Sequence, residues 1–295
     1  MLSYQHLYHA GNAADVHKHA LLAAALALMT ARPKPLSYIE THAGRGLYDL
    51  AAPEALKTGE AAQGIGRLEA GLPADHPLRL ALGRVRAAHG PAAYPGSPLV
   101  AAALLRPGDR MQLAELHPQE HAALQQAMRG TGAVLRRQDG FALALSLVPP
   151  VPRRGFMLID PSFEVKADYD RLPRLVAQVH AKWNVGVLML WYPLLADDRH
   201  GPMLAALAGL GLPRTLRHEV RFPPARPGHG MTGSGVFFVN APHGLEAEAG
   251  RIASLFAGAG GREGPPAGAA PAARPGPALP RPPVRPRPRR GPSAP

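Results

Sequence analysis

Acidic side chains stand at or just after the ends of three strands that the sequence predicts, at Glu115, Asp139 and Asp160. Because open α/β sheets bind ligands at the carboxyl ends of their strands, we expect these carboxylates to lie close together. Glu115 can accept hydrogen bonds from the two hydroxyls of a ribose, and Asp139, which Gly140 follows, can accept from the amino group of an adenine. Each acid alone is more often a helix cap or a loop end, but together they favour a nucleoside site.

Asp160 opens the tetrapeptide Asp160-Pro161-Ser162-Phe163, which follows a strongly apolar strand. The segment resembles the Asp-Pro-Pro-Tyr motif of amino-group methyltransferases, although Ser162 loosens a backbone that a second proline would stiffen. An adenine N6 amine, which such enzymes methylate, is a poor nucleophile, because its lone pair is delocalised into the ring. The resemblance implies that the Asp160 carboxylate and the Pro161 carbonyl bind both amine hydrogens and turn the lone pair toward a methyl donor, while Phe163 stacks on a flipped-out base. Taken alone, the segment also fits a strand that ends in an Asp-Pro turn.

Predicted strands alternate with predicted helices along the chain, which indicates a mostly parallel sheet covered on both faces. The last two strands are separated only by residues 223–234, too few for a helical crossover, so we expect them to pair antiparallel. Seven strands with one reversed at the end are the layout of a Rossmann-like class I methyltransferase. The predicted strands are 37–41, 111–116, 133–137, 156–160, 185–191, 215–222 and 235–239, and the predicted helices are 16–29, 117–129, 140–147, 172–181 and 203–210.

The chain divides into a catalytic domain over 1–257 and a tail over 258–295. Within the domain, residues from about 51 to 106 are mostly helix-forming, and we interpret them as a small helical subdomain inserted after the first strand. The tail is rich in proline, alanine and arginine and cannot bury a core, so we expect it to be disordered. It is either a solvated segment without a set role or a flexible contact for RNA phosphate.

Composition narrows the class of protein. The net charge of +12 favours polyanionic partners, nucleic acid first. The absence of cysteine excludes disulfides and thiolate metal sites and fits a reducing compartment. The apolar run over 20–31 is too short to span a bilayer and no secretory signal is present, so we expect a cytoplasmic protein without a membrane partner. His17 and His19 lie two residues apart and do not share a helix face, so we predict no metal site.

Many further spaced segments along the chain form a recognisable pattern. They are MLSYQHLYHAGNAADVHKH at 1–19, THAGRGLY at 41–48, TGE at 58–60, GIGR at 64–67, YPGSP at 94–98, ELHP at 115–118, DGF at 139–141, RRG at 153–155, WYP at 191–193 and GMTGSG at 230–235. In these segments, in unbroken order over roughly residues 1–257, the chain resembles the family of bacterial 23S rRNA adenine-N6 methyltransferases J. Coincidence of so many segments by chance is very improbable.

This resemblance implies a Rossmann-like core with an inserted helical subdomain, S-adenosylmethionine as the cofactor, and 23S rRNA as the substrate. It also implies roles for individual residues. The family's cofactor-contacting positions match His19, His42, Ser97, Glu115, Asp139 and Gly140; its catalytic segment matches Asp160, Pro161 and Phe163; its RNA-contacting N-terminal motif matches Tyr4 and Lys18. We expect the RNA to be free of protein or early in assembly, and the enzyme to be a monomer.

Two further functions compete with an active methyltransferase. A protein of the same fold that has lost efficient catalysis through Ser162 would act as an RNA-binding or ribosome-assembly protein. A nicotinamide-dependent dehydrogenase is disfavoured, because no Gly-x-Gly-x-x-Gly loop follows the first strand. We also expect Trp183 and Trp191 in the core or the site wall, and Arg153 and Arg154 either in a solvated turn or near the site, on RNA phosphate.

Overall fold

The computed structural model describes residues 5–224 and 230–257. Tyr4 and the predicted tail lie outside this part of the chain. Its helices are α1 (Ala13–Thr30), α2 (Pro53–Thr58), α3 (Glu60–Gln63), α4 (Ile65–Leu68), α5 (Pro77–His89), α6 (Ser97–Leu104), α7 (Pro118–Ala127), α8 (Gly140–Leu147), α9 (Asp168–Lys182), α10 (His200–Gly209) and α11 (Leu245–Ala257), with short 3-10 turns at His6–Tyr8 and Glu69–Gly71. Its strands are β1 (Ser37–Glu40), β2 (Leu47–Asp49), β3 (Ala93–Pro95), β4 (Arg110–Ala114), β5 (Val134–Arg136), β6 (Gly155–Ile159), β7 (Val187–Leu195), β8 (Leu216–Arg221) and β9 (Met231–Val239).

Within the described residues, seven strands form one sheet in the order β5-β4-β1-β6-β7-β9-β8. All neighbouring pairs are parallel except those made by β9, which runs antiparallel to both β7 and β8. The predicted fold class and the predicted antiparallel pairing of the last two strands are therefore confirmed. Parallel strands leave all their carboxyl ends at one edge, which is where the acidic residues were expected to meet.

Helices cover both faces of this sheet. One face packs against α1, α5, α6 and α11, and the other against α8, α9 and α10. Helix α1 is buried over most of its length, because it contacts β7 and β9 of the sheet as well as the helices α5, α6 and α11. Its polar residues His17, Lys18 and His19 are therefore buried as well, and each needs a partner inside the protein.

Helix α1 begins three residues earlier than the predicted 16–29. Asn12 caps it by accepting a hydrogen bond from the Asp15 backbone N–H at 2.9 Å. The Asp15 carboxylate accepts from the Gly11 backbone N–H at 2.9 Å, within the loop that leads into the helix.

The segment interpreted as a helical insertion contains α2 to α5, but also β3 and α6. Strand β3 pairs antiparallel with β2 to form a small second sheet. Helix α6 lies between β1 and β4 in the chain and packs against α1, so it is the crossover that returns the chain to the main sheet. The boundaries of the insertion and of the catalytic domain stay predictions.

Two other differences concern the last part of the fold. Strand β9 starts at Met231, before the predicted 235, although Gly233 and Gly235 lie in it. A Cβ at Gly235 would overlap the ring of Tyr192, so glycine is there for close packing between strands. Helix α11, which was not predicted, buries Leu245, Ala249 and Phe256 on one face.

No helix in the ranges 5–224 and 230–257 has the length and apolar character that a bilayer crossing requires.

Candidate active site

A cavity of about 640 Å³ opens at the carboxyl ends of β1, β4, β5 and β6. Every predicted site residue in the described part of the chain lines it. These residues are Lys18, His19, His42, Ser97, Glu115, Asp139, Gly140, Asp160, Pro161 and Phe163. Tyr4 lies outside the described residues.

Lys18 joins two carboxylates at one side of the cavity. Its Nζ donates to Asp160 Oδ2 at 2.7 Å and lies 3.2 Å from Asp15 Oδ1. His6 Nε2 lies 2.8 Å from the other oxygen of Asp15. Burial alone would raise the pKa of Asp15, but His6 and Lys18 outweigh it and hold that pKa well below its usual range. The ionised Asp15 therefore compensates the buried ammonium and fixes it beside Asp160.

Aromatic rings form the wall next to Asp160. Phe163 has a φ of 57°, in the left-handed region that residues with a Cβ seldom adopt, and its ring is largely buried. Its centroid is 4.8 Å from that of Tyr169 and 6.0 Å from that of Trp191. Lys18 Nζ lies 5.4 Å from the centroid of the Trp191 ring, within cation–π range. Rings and carboxylate thus face one space.

A series of hydrogen-bonded, buried side chains behind this wall holds Trp191. The indole N–H donates to Ser234 Oγ at 2.8 Å, and His17 Nδ1 lies 2.8 Å from the same oxygen. His17 Nε2 in turn lies 2.8 Å from His218 Nδ1. Burial lowers the pKa of both histidines, to about 4 for His218, so the pair is neutral near pH 7. This series of hydrogen bonds restrains the indole, because each of its buried polar atoms has a partner.

The other side of the cavity carries the predicted nucleoside-binding acids. Glu115 accepts from the backbone N–H of Gly44 at 2.8 Å and of His117 at 2.7 Å, one on each oxygen. Burial raises the pKa of Glu115 although these two donors oppose it. Asp139 Oδ1 accepts from the Ala142 N–H at 2.8 Å and caps α8. Each carboxylate keeps lone pairs for a ligand, since two oxygens offer about four acceptor sites.

Two neutral histidines complete this side. Burial lowers the pKa of His19 to about 3 and that of His42 to about 4. His19 Nδ1 lies 3.0 Å from the Tyr94 hydroxyl, whereas His19 Nε2 is buried with no hydrogen-bond partner among the described residues. A buried, unpartnered ring nitrogen at a cavity wall is a place for a ligand's polar atom.

Ser97 connects the cavity to a buried carboxyl group that was not predicted as a site residue. Its Oγ donates to Glu40 Oε1 at 2.5 Å, and the Tyr38 hydroxyl donates to Glu40 Oε2 at 2.7 Å. Burial raises the pKa of Glu40 to about 8, against the effect of both hydrogen bonds. Glu40 therefore holds a proton at pH 7.

This shift makes folding stability depend on pH. An unfolded Glu40 titrates near 4.5 and the folded one near 8, so the folded state binds more protons between these values. The contribution of Glu40 to the free energy of unfolding is then fully present below pH 4.5. It declines as pH rises toward 8, by at most about 1.4 kcal/mol per pH unit. We expect Glu40→Gln, which keeps an acceptor for Ser97 but does not titrate, to flatten that decline in urea unfolding between pH 5 and 8. An unchanged slope would contradict the assignment, and Glu69→Gln serves as the control.

Arg153 and Arg154 lie away from the cavity. They precede β6, whereas Asp160 follows it, so they sit at the opposite edge of the sheet. Arg154 Nη1 donates to the Lys34 carbonyl at 2.9 Å, and its Nη2 donates to the Met29 carbonyl in the last turn of α1. Of the two expectations, the solvated turn agrees with the partly exposed loop at 151–154. A place near the site is wrong, because nearness in sequence to a site strand does not tell which of its ends a residue occupies. Trp183 is fully buried, as expected of a core residue.

A family model described as "Ribosomal RNA large subunit methyltransferase D, RlmJ" matches residues 33–263. The chain belongs to this family. The resemblance found in the sequence is thereby confirmed, and the RlmJ family assignment extends from before β1 to beyond α11.

Named relatives agree with the RlmJ assignment. A protein of Escherichia coli (strain K12) called "Ribosomal RNA large subunit methyltransferase J" is 36% identical over 256 residues, covering 83% of this chain and 89% of the relative. A protein of the same name from Haemophilus influenzae is 36% identical over 253 residues, covering 84% and 90%. The crystal structure of protein LPL1258 from Legionella pneumophila is 32% identical, with a TM-score of 0.76 over 83% of this chain and 92% of that one.

Sequence reasoning on this RlmJ member missed Asp15, Glu40 and Ser234 as parts of the site, whereas Trp191 lies in the site wall, one of the two places expected for it. The sequence did contain signals for the three missed residues. Asp15 and Ser234 lie in segments that carry the family resemblance, and Glu40 immediately precedes the segment at 41–48. Their roles depend on contacts across the fold, which the spacing within each segment does not reveal.

Proposed function

We propose that this site transfers a methyl group from S-adenosylmethionine to the N6 amine of an adenine in 23S rRNA. The observation that carries the proposal is the Asp160 carboxylate, which lies beside aromatic rings in the same cavity as the acids suited to a nucleoside. Membership of the RlmJ family supports the substrate class, since the named relatives are large-subunit rRNA methyltransferases.

The residues present fit S-adenosylmethionine. Glu115 is suited to the ribose hydroxyls and Asp139 to the adenine amino group, while Gly140 lets the loop after β5 lie against the Thr41 carbonyl. The unpartnered His19 Nε2, together with His42 and Ser97, offers neutral polar contacts. When bound, this cofactor supplies a sulfonium-borne methyl group that is electrophilic without further activation.

The chain's own contribution is orientation and electrostatics. The Asp160 carboxylate and the Pro161 carbonyl are the acceptors for the two amine hydrogens, which aims the nitrogen lone pair out of the plane of the base. Phe163 holds the base by packing against its ring. Lys18 contacts both Asp15 and Asp160 and so fixes the position of the acceptor carboxylate. Rate then comes from positioning rather than from a covalent intermediate.

The test is transfer of labelled methyl from S-adenosylmethionine to unmodified 23S rRNA, followed by nucleoside analysis. We expect label in N6-methyladenine. A protein that binds the cofactor yet transfers no label would overturn the proposal, and recovery of label in Ser162→Pro would then locate the loss at Ser162. That result would favour the weakened RNA-binding protein, for which the family and the named relatives offer no support.

We further propose a monomer that acts in the cytoplasm on RNA that is free of protein or early in assembly. The target adenine must flip out of the RNA to enter a cavity at the sheet edge. An adenine in protein-free RNA is more accessible for this than one in an assembled subunit. Comparing protein-free 23S rRNA with assembled large subunits tests the stage: equal rates would contradict it. Tyr4 is proposed as an RNA contact on the resemblance alone, and the tail at 258–295 as outside the catalytic domain.

A further inference from the structure

Two sequence motifs of the inserted segment, TGE at 58–60 and GIGR at 64–67, have no role in the proposed chemistry. In the fold, both motifs lie against the loop that leads into α1. Glu60 is buried, and both of its carboxylate oxygens lie 3.0 Å from His9 Nδ1. Asn12 Nδ2 donates to Glu60 Oε2 at 3.1 Å. One carboxylate from the insertion thus holds two side chains of the N-terminal loop.

Backbone contacts reinforce this junction. The Ile65 N–H donates to the Gly11 carbonyl at 2.8 Å, and Thr58 Oγ1 donates to the Tyr8 carbonyl at 2.6 Å. A Cβ at Gly64 would overlap the Gly11 carbonyl and lie 2.6 Å from Asn12 Cα, so glycine is required for the approach. The insertion therefore contacts residues 8–12 by side chains and by backbone.

The loop held in this way leads to the substrate side of the cavity. Asn12, which binds Glu60, also caps α1 by accepting from the Asp15 N–H, and the Gly11 N–H donates to the Asp15 carboxylate. Asp15 in turn contacts Lys18, whose ammonium donates to Asp160. A shift of the loop would therefore move the groups that orient the target amine.

We propose that Glu60 is a positioning residue of the methyl transfer, and that the inserted subdomain exists in part to hold residues 8–12 against the substrate side of the site. This inference rests on the proposed function. Glu60 touches neither reactant; it acts through His9 and Asn12. Because the contact lies on the side of Lys18 and Asp160, its loss weakens use of the RNA and spares the cofactor side at Glu115 and Asp139.

The experiment compares Glu60→Ala and Glu60→Gln with Glu69→Gln. Glu69 is a matched control, because it also lies in the insertion and pairs with Arg86, at 2.6 and 2.9 Å, away from the N-terminal loop. For each protein, kcat and KM for 23S rRNA, the Kd for S-adenosylmethionine, the Tm and the hydrogen exchange of amides 8–16 are measured.

We expect Glu60→Ala to lower kcat/KM for RNA by about ten- to a hundredfold, with the Kd for S-adenosylmethionine unchanged and faster exchange confined to amides 8–16. Glu60→Gln retains an acceptor oxygen, so its kcat/KM for RNA should lie between those of Glu60→Ala and the natural protein. The kcat/KM of Glu69→Gln should equal that of the natural protein. Normal kcat/KM in a folded Glu60→Ala protein, or equal loss of cofactor affinity, would overturn the inference. Absence of methyl transfer by the natural protein would instead overturn the proposed function.

Discussion

Asp160→Ala is expected to lower the rate of methyl transfer by about a hundred- to a thousandfold, the usual effect of removing one preorganised polar group from a reacting centre. The substitution deletes the carboxylate acceptor for the target amine and leaves Lys18 with Asp15 alone of its two carboxylate partners described above. The measurement is single-turnover transfer of labelled methyl to 23S rRNA, with the Kd for S-adenosylmethionine determined in parallel and expected to stay the same.

Two variants sharpen this prediction. Asp160→Asn keeps the size and one acceptor oxygen, so its rate should fall between those of the natural protein and of Asp160→Ala. Asp170→Asn alters an exposed carboxylate of α9 and should have no effect. A full rate in Asp160→Ala would show that the acceptor of the amine hydrogens lies elsewhere.

The second large effect is expected from Gly140→Ala. An added Cβ at this position would overlap the carbonyl oxygen of Thr41 and lie 2.6 Å from its carbonyl carbon. The loops that follow β1 and β5 would have to separate, which carries Asp139 away from the cavity. We expect a loss of about 1–3 kcal/mol in the free energy of unfolding. We also expect affinity for S-adenosylmethionine to fall by about tenfold or more.

Calorimetric titration of the cofactor and urea unfolding measure these two quantities. Gly83→Ala is the matched control, because Gly83 lies in helix α5 and a Cβ there meets nothing within 4 Å. That change should leave the cofactor affinity intact and raise stability by up to about 1 kcal/mol through helix propensity. Equal cofactor affinity in Gly140→Ala and Gly83→Ala would mean that the loop contact does not shape the cofactor side.

The sequence allowed the main sheet to be predicted because its strands are apolar and bounded by turn residues, as in residues 156–159 before Asp160. It missed the first half of β9, which contains Gly233 and Ser234. Those residues are typical of loops, and their place in a strand depends on close packing against neighbours that lie far away in the chain. Helix α11 was missed for a different reason: its apolar face is complete only against α1 and β8.

The candidate site also has parts that could be predicted from the sequence and parts that could not. Residues directly after strands, such as Glu115 and Asp139, could be placed in one cavity by topology alone. Contacts between distant segments could not, and the bond between Lys18 and Asp160 joins residues 142 positions apart. Burial could not be predicted either. The sequence shows only that Glu40 is a glutamate, whereas the surrounding core raises its pKa to about 8 and places it where it accepts a hydrogen bond from Ser97.

The place of β9 between β7 and β8 has a consequence for synthesis. Residues of β8 leave the ribosome before those of β9, yet in the described part of the chain β9 is the strand through which β8 joins the sheet. During translation, both edges of β8 therefore stay unpaired until β9 has been made. Since β9 also brings Ser234 to Trp191, the wall of the cavity forms only after most of the chain has been made. A nascent chain whose β9 has not yet paired therefore lacks the bond that holds Trp191 in the wall beside Asp160.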